Sequence, residues 1–249
     1  PASDAAYTAQ WVANTNTPYK VKHLQQNITG SDYTEVTGET ENLQGITGTN
    51  AAVTPKTYTG FKPGTYTPTT IAADGSTVVE VKYDRLQHTV RFNANGGTPA
   101  PSNQSVRYEG NVTAPPPMSK TGYTFGGWYK TSALSGSPWN FTSGNVITYT
   151  NLYAKWIANT YKVKFNGGTG SSGSMSDQTF TYGTAQNLTA NTFTKTNYRF
   201  TGWATSSGSS TVEHTDNKSV NNLTAEPNGT FNLYAVWVPL PTVRFKVEG

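Results

Sequence analysis

Apolar and polar positions alternate most cleanly in Asn151-Leu152-Tyr153-Ala154-Lys155-Trp156, where Leu152, Ala154 and Trp156 fall on one face and Tyr153 and Lys155 on the other. A period of two predicts a half-buried β-strand. The string returns almost unchanged as Asn232-Leu233-Tyr234-Ala235-Val236-Trp237 and more loosely as Tyr7-Thr8-Ala9-Gln10-Trp11. In each copy an Ala stands two residues before the Trp, leaving room on the same face. The motif therefore predicts the closing strand of a recurring module, with its Trp as a wedge in the core. Trp128, Trp156, Trp203 and Trp237 are all expected to be mostly buried.

Other strings recur with it. Units open on Tyr19-Lys20-Val21-Lys22-His23-Leu24, Thr89-Val90-Arg91-Phe92 and Tyr161-Lys162-Val163-Lys164-Phe165. In the second and third units a Gly-rich turn follows, at Asn93–Gly97 and Asn166–Gly168, then strands predicted at Ser105–Tyr108 and Gln178–Gly183. A Gly-Trp stretch comes next, Lys120–Tyr129 and Lys195–Trp203, placed 36 residues after Phe92 and 38 after Phe165. The first unit shares this plan loosely, with Lys56–Phe61 where the others have Tyr, Gly and Trp. Its segment Glu39–Gln44 is read as a short helix, and Asp74-Gly75 as a hairpin turn before the closing strand. Thr242-Val243-Arg244-Phe245 repeats the opening of the second unit, so a further unit is expected to start there. The organisation expected is a tail at 1–15, modules at 16–88, 89–157 and 158–238, and the start of another at 239–249. Short linkers, Asn14–Pro18, Asp84–Gln87 and Ala158–Thr160, would join them. Self-similarity at a fixed period is the signature of a repeat array.

Composition strengthens the β expectation. The 249 residues include 24 Gly and 14 Pro, with 12% aromatic and 13% charged residues, a mixture that favours strands and turns over helices. With no Cys, a disulfide framework, a thiol nucleophile and a cysteine zinc site are excluded, and modules of about 75 residues must hold by packing. No run nears the roughly 18 apolar residues of a membrane span, so no insertion is expected in this segment. The net charge of +4 comes from scattered Lys and Arg without a basic cluster, which argues against nucleic acid.

Candidate chemistry is sparse. Gly168–Gly173 has the spacing of a dinucleotide fingerprint, but another predicted strand follows it where the motif requires a helix N-terminus, so it reads as a hairpin loop. His23, His88 and His214 lack metal-ligand spacing and read as structural. Glu39 and Glu41 sit in a Thr-rich stretch and read as solvated. No metal, cofactor or catalytic residue is nominated. The aromatics Trp139, Tyr129 and Tyr149 remain as candidates for a ligand-binding surface.

The combination of Phe-Asn-(Ala-Asn)-Gly-Gly, Gly122–Tyr129, Trp139-Asn140-Phe141 and Leu152–Trp156 resembles the Listeria-Bacteroides repeat, the B-repeat of internalin-type surface proteins, over about 89–237. The first unit, about 19–88, resembles mucin-binding-protein-type repeats. The third unit departs from the pattern where Thr211–Thr215 replaces Trp-x-Phe. The resemblance implies small β-grasp-like (ubiquitin-like) modules on exported bacterial proteins. The fold class expected is mainly β or α+β, as tandem modules in an elongated array. The function expected is a non-enzymatic spacer or stalk at the bacterial cell surface, cell-wall attached or secreted, and monomeric. The alternative is a module that binds a host glycoprotein, mucin or polysaccharide through exposed aromatics.

Overall fold

The computed structural model describes residues 4 and 6–242, so the unit expected to open at Thr242–Phe245 lies outside the described residues beyond position 242. The chain divides into two compact units. One comprises Pro1–Arg91, Ser102–Ala114 and Asn140–Asn151, the other Phe92–Pro101, Pro115–Trp139 and Leu152–Gly249.

In the first unit a long strand, β1 (Thr17–Gln26), is paired along both edges. On one edge β2 (Tyr33–Glu35) and β3 (Glu41–Gly45) run antiparallel to its two ends; on the other, β4 (Val78–Tyr83) runs parallel to it. Alternation decides which side chains go inward. Thr17, Tyr19, Val21 and His23 are buried while Lys20 is exposed, and Tyr19 and Val21 join Ala51, Ile71, Val79, Val81 and Tyr83 in one core. The helix expected over Glu39–Gln44 is not formed: Glu41, Leu43 and Gly45 alternate as a strand on β1. Asp74 does make a turn, its carboxylate accepting from Ser76 N and Oγ. The turn leads into β4 without making a hairpin, because β4 pairs with β1.

Further along the chain, β5 (Gln87–Asn93), β6 (Gln104–Arg107), β8 (Tyr123–Tyr129) and β10 (Thr150–Ala158) form a sheet of order β6-β5-β10-β8, and β7 (Gly110–Asn111) pairs with β9 (Asn145–Val146). Val90, Val106, Val112 and Val146 are buried in the first unit, and Phe92, Trp128, Leu152 and Ala154 in the second.

The remaining sheet lies in the second unit. It contains β11 (Thr160–Asn166), β12 (Gln178–Thr181), β14 (Tyr198–Ala204) and β16 (Thr230–Pro239) in the order β12-β11-β16-β14, and β13 (Gln186–Asn187) pairs with β15 (Ser219–Val220). Its central pair, β11 and β16, is parallel, with Phe165 opposite Leu233. The core gathers Tyr161, Val163, Phe165, Phe180, Leu188, Trp203, Val220 and Leu233.

A parallel pair requires a crossover, often helical. Here the crossover is made of short strands and turns, and no α-helix is present among the described residues. The mainly β expectation therefore describes the fold, and its α+β variant does not. Among the described residues there is likewise no helix long and apolar enough to cross a membrane. The copy of the closing motif at Tyr7–Trp11 forms no strand, and Trp11 is 93% exposed. The sequence string recurs there without its structure.

Candidate functional site

In a chain built of repeats, the side chains that join successive modules are the first candidates for function. Two joints of one design are present, one inside each compact unit. In the first, Leu86 N donates to Gly60 O at 2.8 Å and Tyr108 N donates to Leu86 O at 2.8 Å. In the second, Asn159 N donates to Gly122 O at 2.9 Å and Tyr182 N donates to Asn159 O at 2.8 Å. Gly60 and Gly122 both have positive φ, +82° and +78°, and a Cβ at either would overlap the ring of Tyr108 or Tyr182. Glycine is needed twice over, for the backbone conformation and for the flat seat it offers a tyrosine ring. Each tyrosine also meets an aromatic edge to face, Phe61 at 6.4 Å and Tyr123 at 5.7 Å. At the corresponding place in the last module Leu240 N donates to Asn197 O at 2.8 Å. The left-handed residue there, φ 64°, carries a side chain.

Within each Trp-bearing repeat, β8 and β14 have a bulge where the Gly-Trp pair lies, at Phe125–Trp128 against Ala154–Trp156 and at Phe200–Gly202 against Val236–Trp237. The extra residue breaks the strict alternation. Trp128 and Trp203 go fully into the core, as expected, but Trp156 and Trp237 are only half buried. Their role is different: Trp156 Nε1 donates to Ala94 O at 2.8 Å and Trp237 Nε1 to Gly167 O at 2.7 Å. Each indole pins the Gly-rich turn that follows the opening strand. A Cβ at Gly97 would overlap the Trp156 ring.

The sequence candidates for ligand binding separate. Tyr129 is 7% exposed and its ring lies under Lys155 Nζ at 5.1 Å, so it offers little surface. Trp139 is half buried; Lys130 Nζ covers its ring at 4.6 Å, and its Nε1 is buried without a partner. Its backbone N donates to Trp128 O at 2.6 Å, strapping the β8 edge. Tyr149, in the other unit, is 52% exposed and bonded to Asn151. In the third repeat, Glu213 N and His214 N both donate to Trp203 O, and Trp203 N donates to His214 O. The segment Thr211–Thr215, unlike Trp139-Asn140-Phe141 in sequence, therefore straps the matching tryptophan.

The structure also brings together His23, read as structural, and Glu39 and Glu41, read as solvated but in fact engaged by Lys56, Tyr58 and His23. His23 is fully buried, its Nδ1 2.7 Å from Tyr83 OH and its Nε2 2.9 Å from Glu41 Oε1. Tyr83 OH accepts from Lys56 N at 2.8 Å. The phenol proton is then directed to Nδ1, and Nε2–H donates to Glu41. Glu39 completes the cluster by accepting from Tyr58 OH and from Lys56 Nζ at 3.1 Å; these two bonds hold its carboxyl below the usual range. Burial, then the Glu39 bond, pushes the Tyr58 phenol up. His23 is sealed from solvent while Glu39, Glu41 and Lys56 stay about one third exposed, and the network braces the loops that carry them against the sheet. Partners 18 and 60 residues away in the chain leave no local pattern. His214 is held below its ordinary value by burial and then by Lys218, with Glu213 opposing. Among the described residues, no group of three or more His, Asp and Glu is arranged to hold a metal.

Known proteins share this pattern. A protein of Evansella cellulosilytica named "Putative Gly-rich membrane protein" is 35% identical over 103 residues, 41% of this chain and 12% of its own length. A second from the same organism, named "Putative membrane protein", is 30% identical over 130 residues, 51% of this chain and 19% of its own length. The chain thus spans less than a fifth of each. Residues 88–155 and 161–236 match the Listeria-Bacteroides repeat domain, and these two stretches make up more than half of the sequence. They contain both Gly-rich turns and both straps and stop one residue short of the tryptophans that pin those turns, and the chain belongs to the Listeria-Bacteroides repeat family.

Proposed function

We propose that the chain is a non-enzymatic spacer in a bacterial cell-surface protein, holding other parts of that protein away from the cell. The twice-used joint carries this reading. Two main-chain hydrogen bonds and a tyrosine seated on glycine fix each linker residue, Leu86 and Asn159, to both of its neighbours. Such contacts restrict reorientation between nearest neighbours, as a stalk requires. Membership in a repeat family and the membrane-protein names of the relatives support a surface setting. The modules follow a β-grasp-like plan in which loops replace the crossover helix, and the segment acts as a monomer outside the cell, wall-attached or secreted.

Small-angle scattering of the whole chain tests this. Three modules in line, each ~30 Å across by compact-domain scaling, give a particle ~90 Å long. A maximum dimension near that of one globular domain of equal mass sinks the spacer reading.

A further inference from the structure

The third repeat contains a groove that neither the joints nor the core explains. Two Ser/Gly-rich loops, 168–174 and 205–210, border adjoining cavities of about 610 and 270 Å³ that share Gly168, Thr169, Ser207 and Tyr234. The smaller one is completed by Lys195, Ser209 and Trp237. The surface is rich in hydroxyls and four aromatic residues line it, Phe165, Phe193, Tyr234 and Trp237, but no Asp or Glu does.

Comparison with the second repeat identifies the charge that matters. Its lysine at the matching position, Lys120, is engaged: Nζ donates to Asn95 O at 3.0 Å and lies 4.7 Å from the Tyr123 ring. Lys195 keeps the ring contact, 4.5 Å from the centre of Tyr198. Among the described residues, however, its ammonium has neither a carbonyl nor a carboxylate partner. The turn it faces explains the difference. The second repeat has Asn95-Gly96-Gly97 there, whereas the third has the longer Gly168–Ser174 run with left-handed Gly168, Gly170 and Gly173. Ser172 bridges to Thr194 and Ser171 Oγ donates to Gly168 O at 2.8 Å, so the loop is tied down. Trp237 has already used its N–H on Gly167 O. What it presents to the groove is apolar ring, suited to the C–H face of a sugar.

We propose that this groove binds a carboxylate-bearing saccharide. The acid pairs with Lys195 Nζ, the sugar ring lies on Tyr234 and Trp237, and the Thr169, Ser207 and Ser209 hydroxyls meet the sugar hydroxyls. A charge-assisted bond from an unpaired ammonium selects an acid over a neutral sugar. A shallow groove gives weak, millimolar-class binding that repetition of chains on a surface would strengthen. The site stands apart from the spacer reading, since a stalk needs no ligand and a groove needs no stalk.

The test is an NMR titration of the whole chain with a uronate-containing tetrasaccharide and, in parallel, its uronate methyl ester. The expected result is shift changes at Thr169, Lys195, Ser207 and Tyr234, with the ester binding about tenfold more weakly for loss of the charged bond. Lys195→Met, which keeps the apolar stem, should abolish that preference, and Lys120→Met should leave it intact. Unchanged amide spectra elsewhere report that each variant is folded. The proposal is overturned if the acid causes no shifts in the groove, if acid and ester bind equally, or if Lys195→Met retains the preference.

Discussion

The second and third repeats solve one edge problem with different sequence. Trp128, next to the last residue of its strand, sits under a strap whose backbone donor comes from Trp139; Trp203 sits under a strap donated by Glu213 and His214. One strap is an aromatic residue in a Trp-x-Phe string and the other is Thr-Val-Glu-His-Thr. The shared requirement is a main-chain N–H at the tryptophan carbonyl, on the outer edge of a strand that ends its sheet and has no neighbour there. The side chains of the strap differ between the two repeats, whereas the tryptophan beneath it and the glycine before it are the same in both.

If the repeats are equivalent at this level, Trp128→Ala and Trp203→Ala should have the largest effects and similar ones, about 3–5 kcal/mol each from lost burial and the cavity left behind. Chemical denaturation followed by amide exchange in each repeat measures this. A cost confined to one repeat would break the equivalence. Next come the tyrosine seats: Gly60→Ala and Gly122→Ala each combine a strained positive φ with overlap on a ring, about 1–3 kcal/mol. Loss of amide protection at Tyr108 or Tyr182 reports the unseating. Trp156→Phe and Trp237→Phe keep an aromatic ring but drop one hydrogen bond, about 1 kcal/mol, and should loosen the Ala94 and Gly167 turns to the same extent.

The smallest effect separates the two straps by pH. Burial, and then Lys218, hold the His214 imidazole below its ordinary value of 6.5. The unfolded chain therefore takes up a proton first as pH falls. The stabilisation is complete above about 6.5 and is lost as pH falls from there towards the lower folded value. Thermal unfolding of the third repeat should be acid-sensitive in that window, and His214→Gln should remove the sensitivity. The second repeat, strapped by Trp139, offers no such group at the strap.

What the sequence made legible follows from the range of each interaction. Alternation at Leu152, Ala154 and Trp156 identifies a strand and its first two buried residues. The bulge that leaves Trp156 half out depends on an extra residue in a partner strand some 30 positions away, so strict period two overstates its burial. Tyr129 has the composition of a sugar-stacking residue, but Lys155 from the partner strand covers its ring. The expected helix at Glu39–Gln44 gave way because Leu43 gains cover on β1 only as part of a strand. The tail motif at Tyr7–Trp11 has the string but no described partner strand, and a strand cannot close a sheet alone. Lys195 was invisible as a candidate because lysine is ordinary on a surface; it stands out only beside Lys120, whose ammonium is occupied.

The tyrosine-on-glycine joint also gives the array a direction. The third repeat brings the ring, Tyr182, that its predecessor's Gly122 receives. At its own exit the residue matching that glycine is Asn197, which is also left-handed but carries a Cβ. A duplication that copied the second repeat could be inserted in line indefinitely, each copy carrying both seat and ring. A copy of the third would carry the ring without the flat glycine seat, so the two repeats are not interchangeable as the leading partner of such a joint.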